Sequence, residues 1–162
     1  AIKIKEALDK ERIHVKIISP GNQKIHICTG CRDCDKDGVC DFTDDMKNNI
    51  EDIRNDDCVM FITPTRWNLL SGDLKIFMDR LNPMYTRKEL KDKKMIAVAI
   101  GAKPVDYCSV EAALNSLESF CESAQMNLVL KKQFCNCLED NDILDHEDDI
   151  NTLISEIKTA IK

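Results

Sequence analysis

Cys58-Val59-Met60-Phe61-Ile62 is an unbroken run of apolar residues. A strand covered on both faces, as in a parallel sheet, has this composition. Residues 95–100, Met-Ile-Ala-Val-Ala-Ile, repeat the pattern and close on Gly101. Helical spacing fills the intervals. Met46, Ile50 and Ile53 follow Thr43-Asp44-Asp45, a helix-start signal in which the hydroxyl caps free N–H groups and the carboxylates favour the positive end of the dipole. Leu74, Phe77, Met78 and Leu81 line a second helix that stops at Asn82-Pro83. Val110, Ala113, Leu114, Leu117, Cys121 and Ala124 mark a long third helix, and Ile150, Leu153, Ile154, Ile157 and Ile161 a final one.

The remaining segments extend the alternation. Residues 2–10 read as the end of a helix, residues 13–18 as a β-branched strand, and residues 127–131 as a short strand. Strands alternating with helices predict βαβ units and a doubly wound parallel sheet with helices on both faces, a three-layer αβα architecture. In such sheets ligands sit beyond the carboxyl ends of strands, which directs attention to the loops after residues 18, 62 and 100.

The 162 residues, 43% hydrophobic and 32% charged, fit a single domain spanning 1–162, and no linker or repeat divides them. A formal net charge of −6 argues against a nucleic-acid surface, which needs a basic stripe to displace counterions. No apolar run is long enough to cross a bilayer and the first residues are too charged for a secretory h-region, so a cytoplasmic location is expected. The expected partners are small molecules or other proteins.

Four of the nine cysteines fall within thirteen residues, in a loop at about 19–42. Cys28, Cys31, Cys34 and Cys40 have the spacing Cys-x2-Cys-x2-Cys-x5-Cys, with Gly30 and Gly38 in the same loop. Two-residue gaps let a backbone curl around an iron–sulfur cubane and present successive sulfurs to different iron corners. Zinc is the structural rival, although its tetrathiolate sites commonly use two separated Cys-x2-Cys knuckles. Metal-free thiols are the third reading. Cys58 and Cys121 read as core residues, and Cys135-Asn136-Cys137 as structural, its spacing being poor for a disulfide between the two. His14, His26 and His146 share no ligand spacing, and His26 alone is near the loop.

The cysteine run, Thr43-Asp44-Asp45-Met46, Thr63-Pro64-Thr65-Arg66-Trp67, Ser71-Gly72-Asp73-Leu74-Lys75 and Asp79-Arg80 occur in an order that resembles the iron–sulfur flavoproteins. These belong to the wider group of NAD(P)H-dependent FMN reductases and flavodoxin-like quinone reductases. The resemblance implies a flavodoxin-like fold, bound FMN, a 4Fe-4S cluster held by Cys28, Cys31, Cys34 and Cys40, and a homodimer or homotetramer. It further implies an electron-transfer oxidoreductase, linked to NAD(P)H or ferredoxin and exchanging electrons with a redox partner protein or a small-molecule donor or acceptor. By position in the family, Pro64, Thr65, Arg66, Trp67 and Asn68 are flavin contacts, with Gly101 and Ala102 in a second loop. The reductases often have Gly where this chain has Asn68, and many quinone reductases have a Gly-rich, His-containing segment where this chain has residues 102–107.

A non-enzymatic redox-sensing or metal-binding module is the alternative function. In the 2-1-3-4-5 strand order of such folds the first strand is central, and the loop behind it holds the cofactor phosphate. The sequence opens inside the first helix. That strand and its Ser/Thr- and Gly-rich loop are therefore expected upstream of Ala1, in roughly 10 to 20 further residues.

Overall fold

The computed structural model describes residues 1–107 and 110–161. Its laddered strands are β1 (Cys58–Pro64), β2 (Lys94–Ile100) and β3 (Asn127–Phe134), all parallel and in the order β1-β2-β3. The helices are α1 (Ile2–Asp9), α2 (Cys34–Asp37), α3 (Met46–Asn55), α4 (Gly72–Asp79), α5 (Asn82–Thr86), α6 (Glu111–Ser123) and α7 (Glu147–Ala160). Short 3-10 turns cover Pro20–Asn22, Val105–Tyr107 and Asp142–Asp145.

Strand alternation splits the core into two layers. Met95, Ala97 and Ala99 of β2 face a cluster built from α3, α4, α5 and α6. Ile96 and Val98 face the opposite cluster, from α1 and α7. Because β2 is covered on both faces and laddered on both edges, residues 95 to 99 are at most 2% exposed. Alanine at two of these positions lets the helical layer approach closely. Leu117 and Ile157, each no more than 1% exposed, anchor the two helical layers, and burying such a side chain stabilises by about 1.5–3 kcal/mol. The three-layer αβα fold expected from the alternation is the one observed, and it is the flavodoxin-like fold that the resemblance implies.

Several boundaries differ. Residues 13–18 are extended but join no ladder, because a strand forms only where a neighbour supplies backbone donors and acceptors, and no described segment does so. Their side chains still alternate as in a strand, with Ile13 and Val15 on the α1/α7 cluster and Ile18 on the other. The Val15 carbonyl accepts instead from Lys5 Nζ at 2.7 Å. β3 runs to Phe134 rather than ending near 131, carried on by its pairing with β2 through Ile100. Pro83 opens α5 as well as stopping α4: proline's missing N–H costs nothing in a first turn. Thr43 does not cap α3. The Met46 N–H is bonded by Asp44 Oδ1 at 3.1 Å, so the carboxylate takes the role assigned to the hydroxyl.

Candidate functional site

The cysteine loop is closed at a neck. The Lys24 N–H donates to Asp45 Oδ2 at 2.8 Å and the Asp45 N–H to the Lys24 carbonyl at 3.2 Å. The His26 N–H donates to Asp44 Oδ2 at 2.9 Å. Beneath these bonds lies Arg80, just past α4. Its Nη1 donates to Asp44 Oδ2 at 2.6 Å and to the His26 carbonyl at 2.8 Å, and its Nη2 to Asp44 Oδ1 at 3.1 Å. The guanidinium also lies 4.9 Å from the centroid of the Phe42 ring, which stacks on His26. One cation therefore binds both strands of the neck.

Burial of this pair has to be compensated. It pushes the Asp44 carboxyl up, but the bonds from Arg80, His26 and Met46 outweigh it and leave the group below the ordinary aspartate range. Burial likewise works against the Arg80 charge, and the neighbouring Asp44 and Cys40 outweigh it. The Arg80 Nε is buried with no hydrogen-bond partner among the described residues.

Beyond the neck the loop encloses a cavity of about 410 Å³ lined by Cys28, Cys31, Cys34 and Cys40, with Arg80 and Asn82 in its wall. The structure thus brings all the predicted sulfur ligands to one place. All of these cysteines are free thiols; Cys34 is buried, Cys40 half-buried, Cys28 and Cys31 exposed. α2 carries Cys34 inward and ends at Gly38, whose φ of 69° is the left-handed cap that turns the chain toward Cys40. Arg87 lies over Gly38 and bonds the Asp37 carbonyl, leaving no room for a larger residue. On the other side Asn82 Nδ2 donates to Cys34 Sγ at 3.1 Å. No three His, Cys, Asp or Glu side chains among the described residues converge tightly enough for a single metal ion.

The expected flavin loop is a two-residue hairpin. Arg66 and Leu69 exchange N–H to carbonyl bonds of 3.0 Å each, with Trp67 and Asn68 at the tip, both at positive φ (52° and 65°). Such a turn needs left-handed conformations at both central positions, which asparagine adopts more readily than most residues. The Trp67 ring is 96% exposed. Pro64 ends β1, and the Thr65 N–H continues the ladder to the Ile100 carbonyl at 2.8 Å, so the hairpin springs from the same end of the sheet as Gly101 and Ala102. Gly101 is itself buried and spends its N–H on the Phe134 carbonyl, at 2.8 Å, and its carbonyl on the Cys137 N–H, at 3.0 Å. The amides of Thr65, Arg66 and Gly101 are thus committed to the protein, while Pro64, Arg66, Trp67, Asn68 and Ala102 are exposed.

Arg80, Asn82 and the ion-pairing role of Asp44 were missed as site features. The signal was present: Phe77, Arg80 and Met84 follow at helical spacing on a core-facing stripe, and an arginine there requires a buried acid. Cys135 is disulfide-bonded, and Cys137 is a free thiol, so the pair is not joined to itself. No helix of the described residues is long and apolar enough to cross a membrane.

Fold and site together define a flavodoxin-like αβα protein with a thiol-lined cavity at one side of the sheet. A family model described as NADPH-dependent FMN reductase matches residues 1–135. The chain belongs to that family. An iron–sulfur flavoprotein of Methanocaldococcus jannaschii is 30% identical over 102 residues, covering 61% of this chain and 53% of that protein. An iron–sulfur flavoprotein of Archaeoglobus fulgidus is 31% identical over 83 residues, 51% of this chain and 36% of that protein. The chain thus spans about half the length of the first relative and about a third of the second. Among solved structures, a flavone reductase superposes with a TM-score of 0.74 at 15% identity, covering 99% of this chain and 55% of that one. General stress protein 14 of Treponema denticola, in complex with FMN, superposes with a TM-score of 0.64 at 14% identity, covering 98% of this chain and 88% of that one.

Proposed function

We propose that this chain is part of an oxidoreductase that pairs FMN with a 4Fe-4S cluster held by Cys28, Cys31, Cys34 and Cys40. The observation that carries this reading is the set of four free thiols around one cavity, in a chain of the FMN reductase family. The donor set fits the group: iron–sulfur clusters take four cysteine thiolates. Zinc tetrathiolate sites commonly use two separated Cys-x2-Cys knuckles, which the spacing of these cysteines does not follow. When bound, flavin and cluster together exchange a hydride for single electrons. Reduced nicotinamide or a ferredoxin is the donor class this scheme takes.

The residues have distinct parts in it. The neck bonds of Asp44, Asp45 and Arg80 fix the loop before any metal enters, so the thiols need only local movement. The hairpin of residues 64–70 offers the Trp67 ring as a packing surface for the isoalloxazine, with the Ala102 segment beside its base. No side-chain acid or base is required. Anaerobic preparation followed by a visible spectrum with iron, sulfide and flavin analysis tests the reading: about four irons per chain are expected, and zinc with a colourless protein would refute it.

A further inference from the structure

Two donors in the cavity wall, Arg80 just past α4 and Asn82 at the start of α5, are not among the proposed cluster ligands. Asn82 Nδ2 already bonds the Cys34 sulfur, at 3.1 Å. Arg80 carries its charge into the same wall, and its buried Nε–H lacks a partner among the described residues. Both Nη1 hydrogens are taken by Asp44 and the His26 carbonyl, and Nη2 donates once, to Asp44. A buried donor left without an acceptor is costly, so its retention points to an acceptor that the thiol loop supplies.

The exposed rim has the opposite sign. Asp35, Asp37 and Asp41 stand around the loop, partly offset by Arg32 and Lys36. Those charges are in solvent and screened by salt, whereas a charge beneath the loop with a side chain 2% exposed acts through protein and is screened much less. Asp44 balances that charge from behind, but Arg80 and not Asp44 lines the cavity, so the guanidinium is the nearer pole of the pair to the inner sulfurs.

We propose that Arg80 and Asn82 set the reduction potential of the group bound by the four cysteines, as positioning residues that raise it by stabilising charge on the sulfurs of Cys40 and Cys34. This rests on the reading that the cysteines hold a cluster. One-electron reduction adds one negative charge to the cluster and its thiolates, with the electron supplied by a chemical reductant such as dithionite. A donor bonded to a ligand sulfur, and a guanidinium in the wall of the same cavity, favour the reduced form, a known lever on such potentials.

The test is a potentiometric titration of the anaerobically reconstituted protein, followed by visible and EPR spectra, with iron and sulfide counted alongside. Asn82→Leu removes the donor at a half-buried position while keeping volume, and should disfavour reduction about threefold to tenfold with full iron content. Tenfold is about 59 mV for one electron. Arg80→Gln should disfavour it further, and Arg80→Lys should recover most of that loss by restoring the charge. If Arg80→Gln does not fold, Asn82→Leu and Arg80→Lys decide. An Asn82→Leu potential within twofold of wild type at full iron overturns the inference and leaves the cluster reading standing. Iron lost from a folded Asn82→Leu protein also overturns it, because the residue would then serve assembly. Wild-type protein that takes up no iron overturns both.

Discussion

Arg80 and Asp44, 36 residues apart, meet in a two-point ion pair with side chains 2% and 1% exposed, Nη1 to Oδ2 at 2.6 Å and Nη2 to Oδ1 at 3.1 Å. Taking such a pair out of water stabilises little by itself, but removing one partner strands the other. Arg80→Ala or Asp44→Ala should each lose about 3–5 kcal/mol by urea denaturation. The double variant Asp44→Leu/Arg80→Met should recover much of that loss. Single variants within 0.5 kcal/mol of wild type would show that the neck is not held in this way.

The same pair predicts acid lability. Burial raises the Asp44 carboxyl, yet the bonds from Arg80, His26 and Met46 leave it lowered in the folded state from the usual 3.8. A depressed carboxyl contributes stability that is fully present above its unfolded value and is lost as pH falls toward the folded one. Urea midpoints of wild type should therefore drop as pH falls below about 4, and those of Asp44→Asn, already lower at neutral pH, should drop less. Parallel curves would assign acid sensitivity to other groups.

Thiol accessibility should order the cysteines before metal is added. Burial pushes Cys58 up to about 11, so at pH 8 on the order of one part in a thousand is thiolate. Iodoacetamide with peptide mapping should mark exposed Cys28 and Cys31 first and Cys58 and Cys121 last. Equal labelling rates would contradict the burial pattern.

Ligand variants should separate the loop from the core. Cys31→Ser is expected to abolish the cluster, whereas Cys58→Ser should cost stability and keep its iron. Iron-to-protein ratios after anaerobic reconstitution measure both, and equal loss would defeat the assignment.

At the hairpin tip, Trp67→Ala should weaken flavin binding about twofold to tenfold, since a stacked aromatic contributes roughly 0.5–1.5 kcal/mol beyond burial. Fluorescence titration with FMN measures this, with iron content followed in parallel. An unchanged affinity would remove Trp67 from the site.

The strands of the sheet could be read because β2 carries its burial in its own composition: every residue from Met95 to Ala99 is apolar and every one is buried. Residues 13–18 show the limit of that reading. Their composition reports an extended ribbon between two apolar layers, but a ladder is a property of the neighbour as well, and no local pattern encodes it. The cysteines declared themselves by spacing. Arg80 did not, because a buried arginine owes its place to a carboxylate that only the folded chain brings within reach.

The parallel ladders finish level, with Pro64 opposite Ile100 and Ile100 opposite Phe134. One bond further along each seam, at 2.8 Å, Thr65 is tied to Ile100 and Gly101 to Phe134. This rim is mechanically one plate. A residue inserted at its base would shear both seams and shift the cysteine-bearing tail after β3 together with the hairpin. A residue inserted at the tip, between Arg66 and Leu69, would strain nothing but the turn. Length variation in this chain's evolution is thereby channelled outward, so that descendants could acquire new ligand preferences by remodelling loop ends above a rim that stays fixed.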